Sequence, residues 1–333
     1  MLMFALVGTT TSLAFADTLN VPSDFGSIQA AVDAASDGDT VRVRGGSYEE
    51  FVVISKRIRL DGRRSPFLLG SIDIQADRVT VQGFDIRREL EDNGFGIRVA
   101  GDRARVRRNN VLIVNIDDDD GEGILVLGDR NEIEDNEAIG GSNPIDVRGN
   151  NNEILDNSAR SAIDDGFSVT GSYNLLEDNE ASGSGTEAAG MDIRGTDNTL
   201  IDNKANNNDD GFIVFGEGHL FQGNDANDNE FSGFTVNCDF CVFNGLNQSV
   251  DNGQGFRVNG DGNLFDDNEA DDNEEQGWFI FGDNNRFIGN GADNNGIGMA
   301  ENDSATGNEF EENSCKDNNI AAVPSNICDD PND

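Results

Sequence analysis

Two pairs of adjacent aspartates are the residues of this sequence most suited to acid–base chemistry. Asp164-Asp165 and Asp209-Asp210 each precede a glycine at the same position of two similar segments, with one further segment between them. Stacked strands repeat every ~4.8 Å, so the two pairs would lie roughly 9.6 Å apart. Inverting glycosidases hold an acid and a base roughly 6.5–9.5 Å apart around a water, and the acid needs a raised pKa. We therefore take Asp165, Asp209 and Asp210 as candidate catalytic residues for hydrolysis of a glycan.

Arginines beside aspartates indicate a second chemistry. A lyase or an epimerase that acts on a uronate needs a positive charge against the substrate carboxylate, a base, and often Ca²⁺. Arg194 follows Asp192, and Arg148 follows Asp146, at equivalent positions two segments apart. No Lys or Tyr accompanies them there. Arg194 is therefore a candidate catalytic residue for this alternative, which stays open beside hydrolysis.

A short repeat organises these residues. The pattern glycine, apolar, any, apolar, any, glycine starts at residues 96, 123, 166, 190, 211, 255 and 277, and close variants start at 144 and 233. This period is typical of a solenoid in which one repeat is one coil. Alternate strand residues face opposite sides, so the two apolar positions of the repeat form two inward columns. A second strand later in each coil supplies further inward residues, which are Ile133, Ile154, Leu176, Leu200, Phe221, Phe243, Phe265 and Phe287. The sequence predicts an all-β fold, a right-handed parallel β-helix with coils of about 22 residues and a short N-terminal capping helix.

Asparagines recur at two further positions of the repeat. Thirteen residues after each start an Asn occurs in eight of nine coils, with Leu246 as the exception. Eight residues after the start Asn occurs in six coils, and His219 and Cys241 replace it in two others. Stacked Asn side chains hydrogen-bond along a solenoid and tolerate turn conformations. We interpret both columns as structural, and His219 as a turn residue of its column and not as a catalytic base.

The outward positions of the repeat strand carry a mixture of charged and aromatic side chains. Such a mixture suits a sugar polymer, because polar groups bind hydroxyls and aromatic rings cover the faces of sugar rings. The alternative is an ordinary solvated sheet face with Asp–Arg pairs. The candidate substrate-binding residues are Arg98, Asp146, Arg148, Asp192, Arg257, Phe279 and Phe281.

Acidic residues dominate the chain beyond its first third. The formal net charge is −41, and the part after residue 108 holds 49 acids against 8 bases. Such a field repels nucleic acid and anionic membranes and attracts cations. Clustered carboxylates are the ligands that Ca²⁺ requires, and the candidate metal ligands are Asp117, Asp118, Asp119, Asp120 and Glu122. A solvated acidic loop and a surface adapted to salt are the alternatives.

The two ends of the chain predict an exported protein. Residues 1–16 are apolar and end in Ala-Phe-Ala, which is typical of a secretory signal cleaved before Asp17. No later segment reaches the ~18 apolar residues of a membrane span. We predict an N-terminal cap and first coil over 17–62, the β-helix over 63–313, and a cysteine-stapled cap over 314–333. We expect a monomer that is secreted or periplasmic.

Four cysteines in an exported chain predict disulfides. Proximity in sequence favours Cys238 with Cys241 and Cys315 with Cys328, and other pairings stay open. Half of a zinc site is the alternative for the first pair, but a second pair at similar spacing is absent from the sequence.

The segment at 21–62 resembles the opening of many pectin-lyase-fold proteins. It contains SIQAAVDAA, then GDTV, then a Gly-x-Tyr-x-Glu segment. The coils are similar to the right-handed β-helix repeat group of carbohydrate-binding proteins and sugar hydrolases. The Asp-Asp-Gly at 209–211 also resembles the paired aspartates of polygalacturonases, whose companion motifs are absent here. The resemblance implies the fold of essentially the whole mature chain, and fold alone selects no activity.

These observations lead to one hypothesis and two alternatives. We expect an exported β-helix protein that binds an extended polysaccharide along its first parallel sheet, with Ca²⁺ as the candidate cofactor and without nucleic acid as a partner. The first alternative is a carbohydrate-active enzyme, either a polysaccharide lyase or epimerase or an inverting glycoside hydrolase. The second alternative is a non-catalytic structural or surface scaffold.

Overall fold

The chain winds into a solenoid of stacked coils. The computed structural model describes residues 16–90, 94–115, 121–186, 188–325 and 327–331. Within these residues the strands form two long parallel sheets, in which each coil pairs with the next. The prediction of a right-handed parallel β-helix is confirmed, with about 13 turns. Sequence analysis identified two strands in each coil, whereas most coils have three.

The narrow sheet takes one strand from each coil. Most of these strands are three residues long and bury only the middle side chain, because neighbouring residues of a strand face opposite sides. In the described residues its fourteen strands are Thr18–Val21, Thr40–Arg44, Arg59–Arg63, Thr80–Gln82, Arg105–Arg107, Glu132–Glu134, Glu153–Leu155, Leu175–Glu177, Thr199–Ile201, Leu220–Gln222, Val242–Asn244, Leu264–Asp266, Arg286–Ile288 and Glu309–Glu311.

The wide sheet takes two strands from most coils, which we call its first and second limbs. Ser47–Ile54 and Phe67–Ile74 are long strands that span both limbs. First-limb strands are Asp85–Leu90, Asn110–Asn115, Glu137–Ile139, Ser158–Arg160, Glu180–Ser182, Lys204–Asn206, Asp225–Asn227, Gln248–Val250 and Glu269–Asp271. Second-limb strands are Gly94–Val99, Gly121–Val126, Ile145–Val147, Phe167–Val169, Ala189–Ile193, Asp210–Glu217, Ser232–Asp239, Gln254–Val258, Gln276–Ile280, Ile297–Glu301 and Ile320–Val323.

The first limb was missed because its only buried side chain in most coils is a small one. Ala181, Ala205 and Ala226 are among these buried residues, and an alanine between polar residues gives a weak strand signal. The buried side chain of the first limb is small for a structural reason. A Cβ added at Gly211, the first residue of the repeat, would lie 2.8 Å from the Ala226 Cβ and 2.5 Å from a backbone oxygen. The corner between the two limbs therefore requires glycine on one side and alanine on the other.

Columns of like side chains fill the interior. The two inward columns that the sequence predicts for the second limb are fully buried. One column is aromatic from Phe212 to Trp278, and the other stays aliphatic as far as Ile280. Phe212, Phe234, Phe256 and Trp278 stack with ring centroids 4.1–4.8 Å apart. The narrow sheet adds a second stack that meets the first edge to face. Each buried ring contributes roughly 1.5–3 kcal/mol through burial, and stacking adds about 0.5–1.5 kcal/mol.

Asparagine ladders occupy the corners of the coils. At the corner after the narrow sheet, each Asn Oδ1 accepts the backbone N–H of the Asn one coil earlier, as in Asn203 to Asn224 at 3.0 Å. The expected break at Leu246 was wrong: Asn247 takes the ladder position, and Leu246 is an extra exposed residue with a φ of 64°. This ladder is therefore unbroken from Asn109 to Asn313.

A third ladder, which sequence analysis missed, lies at the corner between the two limbs. Its members are Asn208, Asn229, Asn252, Asn273, Asn295 and Asn318. It was overlooked because Asn occupies this corner only from Asn208 onward, and the preceding coil has Ser184 at the equivalent position.

The N-terminal end is closed by the predicted helix. The helix spans Ile28–Ala34, and Ser27 is its N-cap, whose Oγ accepts the N–H of Ala30 at 3.2 Å. The Glu50 carboxylate, from the first wide-sheet strand, accepts the N–H groups of Ile28 and Gln29 at 2.9 Å each. Two free N–H groups of the first turn are thereby satisfied.

The two predicted disulfides are confirmed. Cys238 is bonded to Cys241 at a coil corner, and Cys315 is bonded to Cys328 near the C-terminal end. No helix in the described ranges is long and apolar enough to cross a membrane. The predicted signal segment lies outside the described residues except for Ala16. The cap boundaries at 62 and 313 stay predictions.

Candidate functional site

Three rows of outward side chains run along the second limb and together form the candidate binding face. The central row lies between the two buried apolar columns, the leading row three residues earlier, and the trailing row two residues later. The central row is Asp73, Arg98, Leu125, Asp146, Ser168, Asp192, Ile213, Thr235, Arg257 and Phe279. The leading row includes Glu122, Asn143, Asp165, Ala189, Asp210, Ser232 and Gln254, and the trailing row includes Arg148, Thr170, Arg194, Phe215, Asn237, Asn259 and Phe281.

Asp165 and Asp210 stand in the leading row two coils apart, with Ala189 between them. Asp165 Oδ1 accepts the backbone N–H of Ala189 at 2.9 Å, and Asp210 Oδ1 accepts that of Ser232 at 3.1 Å. Each carboxyl group is thus fixed by the coil that follows it. Because coils repeat every ~4.8 Å, the two carboxyls lie roughly 9.6 Å apart along the solenoid.

Asp209, the other predicted catalytic aspartate, lies beside the rows and not in them. It is buried, and its carbonyl oxygen accepts the N–H of Phe231 at 2.8 Å. Its catalytic role stays a prediction. Asp164, the equivalent residue of the other pair, accepts a hydrogen bond from the Ser142 hydroxyl at 3.0 Å.

Burial raises the pKa of Asp165 to about 6. The N–H of Ala189 lowers this pKa, the negative charges of Asp192 and Asp164 raise it, and Arg194 lowers it again. Burial also raises the pKa of Asp210, against the opposing effect of the Ser232 N–H. A carboxyl group that titrates near pH 6 can act as a general acid under mild conditions.

Arg194 lies in the coil between these two aspartates. Its Nε and Nη2 donate to the Asp192 carboxylate at 3.0 and 2.6 Å, and Asp192 is almost completely buried. The guanidinium carbon lies 5.0 Å from the ring centroid of Phe215, the next residue of the trailing row. More than half of the Arg194 side chain is nevertheless exposed. The arrangement holds a positive charge and an aromatic ring at the surface in a fixed geometry.

Similar pairs recur toward the N-terminus. Arg148 donates to Asp146 at 2.6 Å and to Glu122 at 2.9 Å. Burial raises the pKa of Asp146, although the bond from Arg148 opposes the shift. Arg98 donates to both oxygens of Asp73 at 2.8 and 2.7 Å. Sequence analysis missed Asp73, but the alternation in Ile72-Asp73-Ile74 is the repeat pattern without its glycines.

A groove of about 760 Å³ opens at the C-terminal part of the face. Asp210 and Arg257 line it, together with Phe231, which is half exposed. Arg257 lies 5.0 Å from the ring centroid of Phe281, and the rings of Phe279 and Phe281 are 4.2 Å apart. Phe231 was not predicted because the segment that ends at its glycine, 226–233, is one residue longer than the equivalent segment 205–211, and the additional residue falls outside the repeat pattern.

His219 occupies a ladder position, in agreement with the prediction. Its Nδ1 accepts the backbone N–H of Asn198 at 3.1 Å, and Nε2 lies 3.1 Å from the carbonyl oxygen of Phe215. The ring is therefore neutral with its proton on Nε2. Burial lowers the pKa of His219. The imidazole is fully buried and belongs to the structural framework.

The predicted calcium ligands are only partly visible. Asp117–Asp120 lie outside the described residues, and Glu122 contacts Arg148. In the parts of the chain that the structure describes, no three His, Cys, Asp or Glu side chains are grouped closely enough to hold a metal ion. Calcium binding at 117–122 stays a prediction.

Comparison with protein families agrees with this architecture. Residues 95–238 match the family model described as "Right handed beta helix region". The chain has a right-handed β-helix fold. No curated protein matches its sequence. The matched segment of this β-helix protein includes Asp165, Arg194 and Asp210.

Several solved structures share the fold of the β-helix protein. The Dettilon tailspike protein gp208 superposes with a TM-score of 0.63 at 12% identity, covering 95% of this chain and 68% of its own. The A-module of the mannuronan C-5 epimerase AlgE4 of Azotobacter vinelandii gives 0.58 at 16%, covering 89% and 92%. The catalytic domain of a GH87 alpha-1,3-glucanase in complex with nigerose gives 0.55 at 12%, covering 98% and 69%. At these identities the likeness concerns the fold.

Proposed function

We propose that this β-helix protein binds an extended polysaccharide along its candidate binding face. The observation that carries the proposal is the arrangement around Arg194. The guanidinium is held by buried Asp192, lies over Phe215, and stands between the coils of Asp165 and Asp210. Sugars need hydrogen bonds to their hydroxyls and a flat apolar surface against their rings, and this site offers both side by side.

The length of the face supports a polymer as the ligand. Polar, charged or aromatic side chains occupy every position of the central row from Asp73 to Phe279 except Leu125 and Ile213, so that most coils present a contact for a sugar. Two proteins of similar fold have names that refer to glycans, the mannuronan epimerase and the alpha-1,3-glucanase. These names agree with the proposed ligand class.

Cleavage of the bound chain is the second candidate function, favoured by the raised pKa of Asp165. Protonated Asp165 would donate its proton to the glycosidic oxygen as the carbon–oxygen bond breaks. The Asp210 carboxylate would take a proton from the water that attacks the anomeric carbon. This reaction inverts the configuration at that carbon.

A lyase or epimerase mechanism uses the same site differently. Arg194 would neutralise the carboxylate of a uronate, and one of the flanking carboxylates would remove the proton next to it. A lyase forms unsaturated ends, whereas a hydrolase forms reducing ends without unsaturation. The products therefore separate the two mechanisms.

The test uses the mature chain on a panel of pectate, alginate and neutral glucans. Binding is measured by titration calorimetry, and cleavage by reducing ends and by the absorbance of unsaturated products. We expect Arg194→Gln to weaken glycan binding about tenfold, a loss of ~1.4 kcal/mol. Arg160→Gln is the matched control, because Arg160 is similarly exposed and forms ion pairs on the first limb.

Three results are informative. Equal weakening by Arg194→Gln and Arg160→Gln would refute the assignment of the site. Product formation that stops in Asp165→Asn and in Asp210→Asn, while binding persists, would establish the enzyme. The absence of binding to every glycan would leave a non-catalytic scaffold as the better description.

Calcium assistance and export belong to the same proposal. Carboxylate oxygens suit Ca²⁺, and Asp117–Asp120 supply four of them in one short run. Two disulfides favour an oxidising compartment such as the periplasm or the exterior. Calorimetric titration of Ca²⁺ into the wild-type chain and into a variant with Asn at 117–120 tests the first point. N-terminal sequencing of the protein recovered outside the cytoplasm tests cleavage before Asp17.

A further inference from the structure

Three arginines stand in one line at the corner of the solenoid that precedes the narrow sheet. Arg78, Arg103 and Arg130 occupy the same turn position in three consecutive coils, each two residues before a paired narrow-sheet residue. Their φ angles are 57°, 55° and 58°. Asn151 and Tyr173 continue the line in the next two coils with φ of 55° and 59°. We call these five residues the arginine strip.

The guanidinium groups of the strip are free for a ligand. Within the described residues, Arg78, Arg103 and Arg130 are exposed and form no ion pair or side-chain hydrogen bond. An aspartate precedes each of them, but its carboxylate is already engaged with the backbone. Asp77 accepts the N–H of Asp102 at 3.0 Å, and Asp102 accepts that of Asp129 at 2.9 Å. Asp129 in turn accepts the N–H of Asn150 at 2.8 Å.

Two of the three arginines of the strip, Arg78 and Arg103, lie in the basic part of an acidic molecule. Residues 40–108 hold 15 Lys and Arg against 10 Asp and Glu, whereas the net charge of the chain is −41. A groove of about 450 Å³ runs beside the strip and is lined by Arg103, Arg130 and Asn151 of the strip and by Arg105, Glu132 and Glu153 of the narrow sheet, so that three arginines face two glutamates. Tyr173, which lies one coil beyond Asn151, exposes 60% of its surface. Charge, concavity and an exposed ring therefore coincide in one place.

We infer that the arginine strip is a second binding site, for a polysaccharide that carries carboxylate or sulfate groups. The planar guanidinium pairs with such groups in a bidentate manner. Its repeat of ~4.8 Å along the coils suits regularly spaced charges on an extended chain. The Asn151 amide can bind a hydroxyl group, and the Tyr173 ring can cover a sugar face.

Two other anionic partners fit the surroundings less well. Disulfides are typical of oxidising compartments, where nucleic acid is not the usual ligand. A second copy of this chain would bring 49 acids from its acidic part, but it would also bring the repulsion between two molecules of net charge −41. The strip contains no residue of the candidate binding face, so this inference stands independently of the proposed function.

The test replaces all three arginines in one variant, Arg78→Asn/Arg103→Asn/Arg130→Asn. Asparagine keeps the turn, because Asn151 occupies the same position with the same left-handed φ. The control variant Arg160→Gln/Lys204→Gln/Arg286→Gln removes three positive charges from later coils. Calorimetry measures binding of heparin, polygalacturonate and neutral dextran at low and high salt.

We expect the strip variant to raise the Kd for heparin or polygalacturonate about tenfold at low salt. The control should change it by less than about twofold, and dextran should not bind the strip. Equal losses in both variants, or unchanged binding in the strip variant, would overturn the inference. So would a strip variant that loses only binding to duplex DNA, or only self-association measured by light scattering.

The two proposed sites fail separately. If only Arg194→Gln loses binding of the anionic glycan, the arginine strip is refuted as a binding site and the candidate binding face is supported. If only the strip variant loses binding, the strip is supported, and the face is refuted as the site for that glycan. Circular dichroism of each variant confirms that the fold is retained.

Discussion

Buried carboxyl groups give the candidate binding face its chemical character. Asp165, Asp192 and Asp210 lie on three successive coils, and each is held by a hydrogen bond from a neighbour. Asp192 has a guanidinium partner, whereas Asp165 accepts the backbone N–H of Ala189 and Asp210 accepts that of Ser232. The pKa of Asp165 is consequently raised to about 6, because burial disfavours its charge more than one N–H donor stabilises it.

The raised pKa predicts that Asp165→Asn stabilises the protein at neutral pH. The folded state binds the proton more tightly than the unfolded state, whose pKa is 3.8, so wild-type stability falls as pH rises from about 4 to above 6. Asparagine keeps an oxygen for the Ala189 N–H and carries no charge. We expect a gain of ~1–3 kcal/mol at pH 7.5 and almost none at pH 4, measured by urea unfolding.

Asp164→Asn is the control for this measurement. Its carboxylate accepts a bond from the Ser142 hydroxyl, and it adjoins Asp165 in sequence. A pH-dependent gain as large in Asp164→Asn as in Asp165→Asn would contradict the assignment. A gain in stability combined with a loss of activity would fit a functional residue that the fold keeps at a cost.

At this scale the sequence located the candidate residues but not their environments. Equivalent repeat positions placed Asp165, Arg194 and Asp210 on neighbouring coils correctly, because the coil period fixes which residues stack. It did not predict which carboxylate has an arginine partner, since that depends on side-chain direction. Phe231 escaped because one additional residue in its turn moves it out of the repeat pattern.

Among the elements, the corner turns carry most of the polar order. Three asparagine ladders replace the hydrogen bonds that the backbone loses where strands end. The amide is suited to this role because its oxygen accepts from one coil while its nitrogen donates to another. The Asn224 oxygen accepts the N–H of Asn203 in the preceding coil, and its nitrogen donates to the Asn247 oxygen in the next coil. The corners are therefore as regular as the strands.

Removal of one ladder amide should destabilise the solenoid strongly. Asn268 accepts the backbone N–H of Asn247 at 3.2 Å and donates to the carbonyl of Phe243 at 3.0 Å. Asn268→Ala leaves both buried groups without partners, at a cost of about 2–4 kcal/mol in the free energy of unfolding. Asn244→Ala, on the outward side of the preceding coil, should cost less than about 0.5 kcal/mol. Similar small losses in both variants in a urea titration would refute the structural role of the ladder.

The repeat period of the sequence predicted some strands of the fold and missed others. Second-limb and narrow-sheet strands were predicted because Ile, Val and Phe recur at a fixed distance from a glycine. First-limb strands were missed because alanine marks them weakly, and the shift from Leu246 to Asn247 was missed because an insertion changes the count without changing the fold. The hydrogen bonds between coils keep Asn247 in the ladder, although the insertion shifts its residue number by one relative to the repeat.

For the molecule as a whole, charge is distributed along the axis. The first coils carry an excess of arginine, and the later ones carry columns of aspartate such as Asp135, Asp156, Asp178 and Asp202, one above another at corner turns. Like charges about 4.8 Å apart lie well within the Debye length of ~10 Å at 0.1 M salt. Their repulsion opposes the stacking of the coils.

Salt should therefore stabilise this protein. Screening at ~1 M NaCl shortens the Debye length to ~3 Å and weakens the repulsion within each aspartate column. We expect Tm to rise by roughly 2–4 °C for each kcal/mol of repulsion that is relieved. Calorimetric scans across NaCl concentrations measure the effect, and a Tm that falls with salt would contradict it. An additional rise with CaCl₂ at equal ionic strength would indicate specific calcium binding.

Because every coil presents the same edge to its neighbours, the height of the solenoid is set by the number of coils and by nothing else in its design. Tandem duplication of one coil would lengthen the solenoid by ~4.8 Å along its axis. The new coil would bring its own ladder amides, interior side chains and outward row positions. Existing interfaces would keep their geometry, since the new coil repeats both of the surfaces it separates. The reach of the molecule along a polymer can thus be lengthened in evolution by unit steps, while the ends that close the interior stay unchanged.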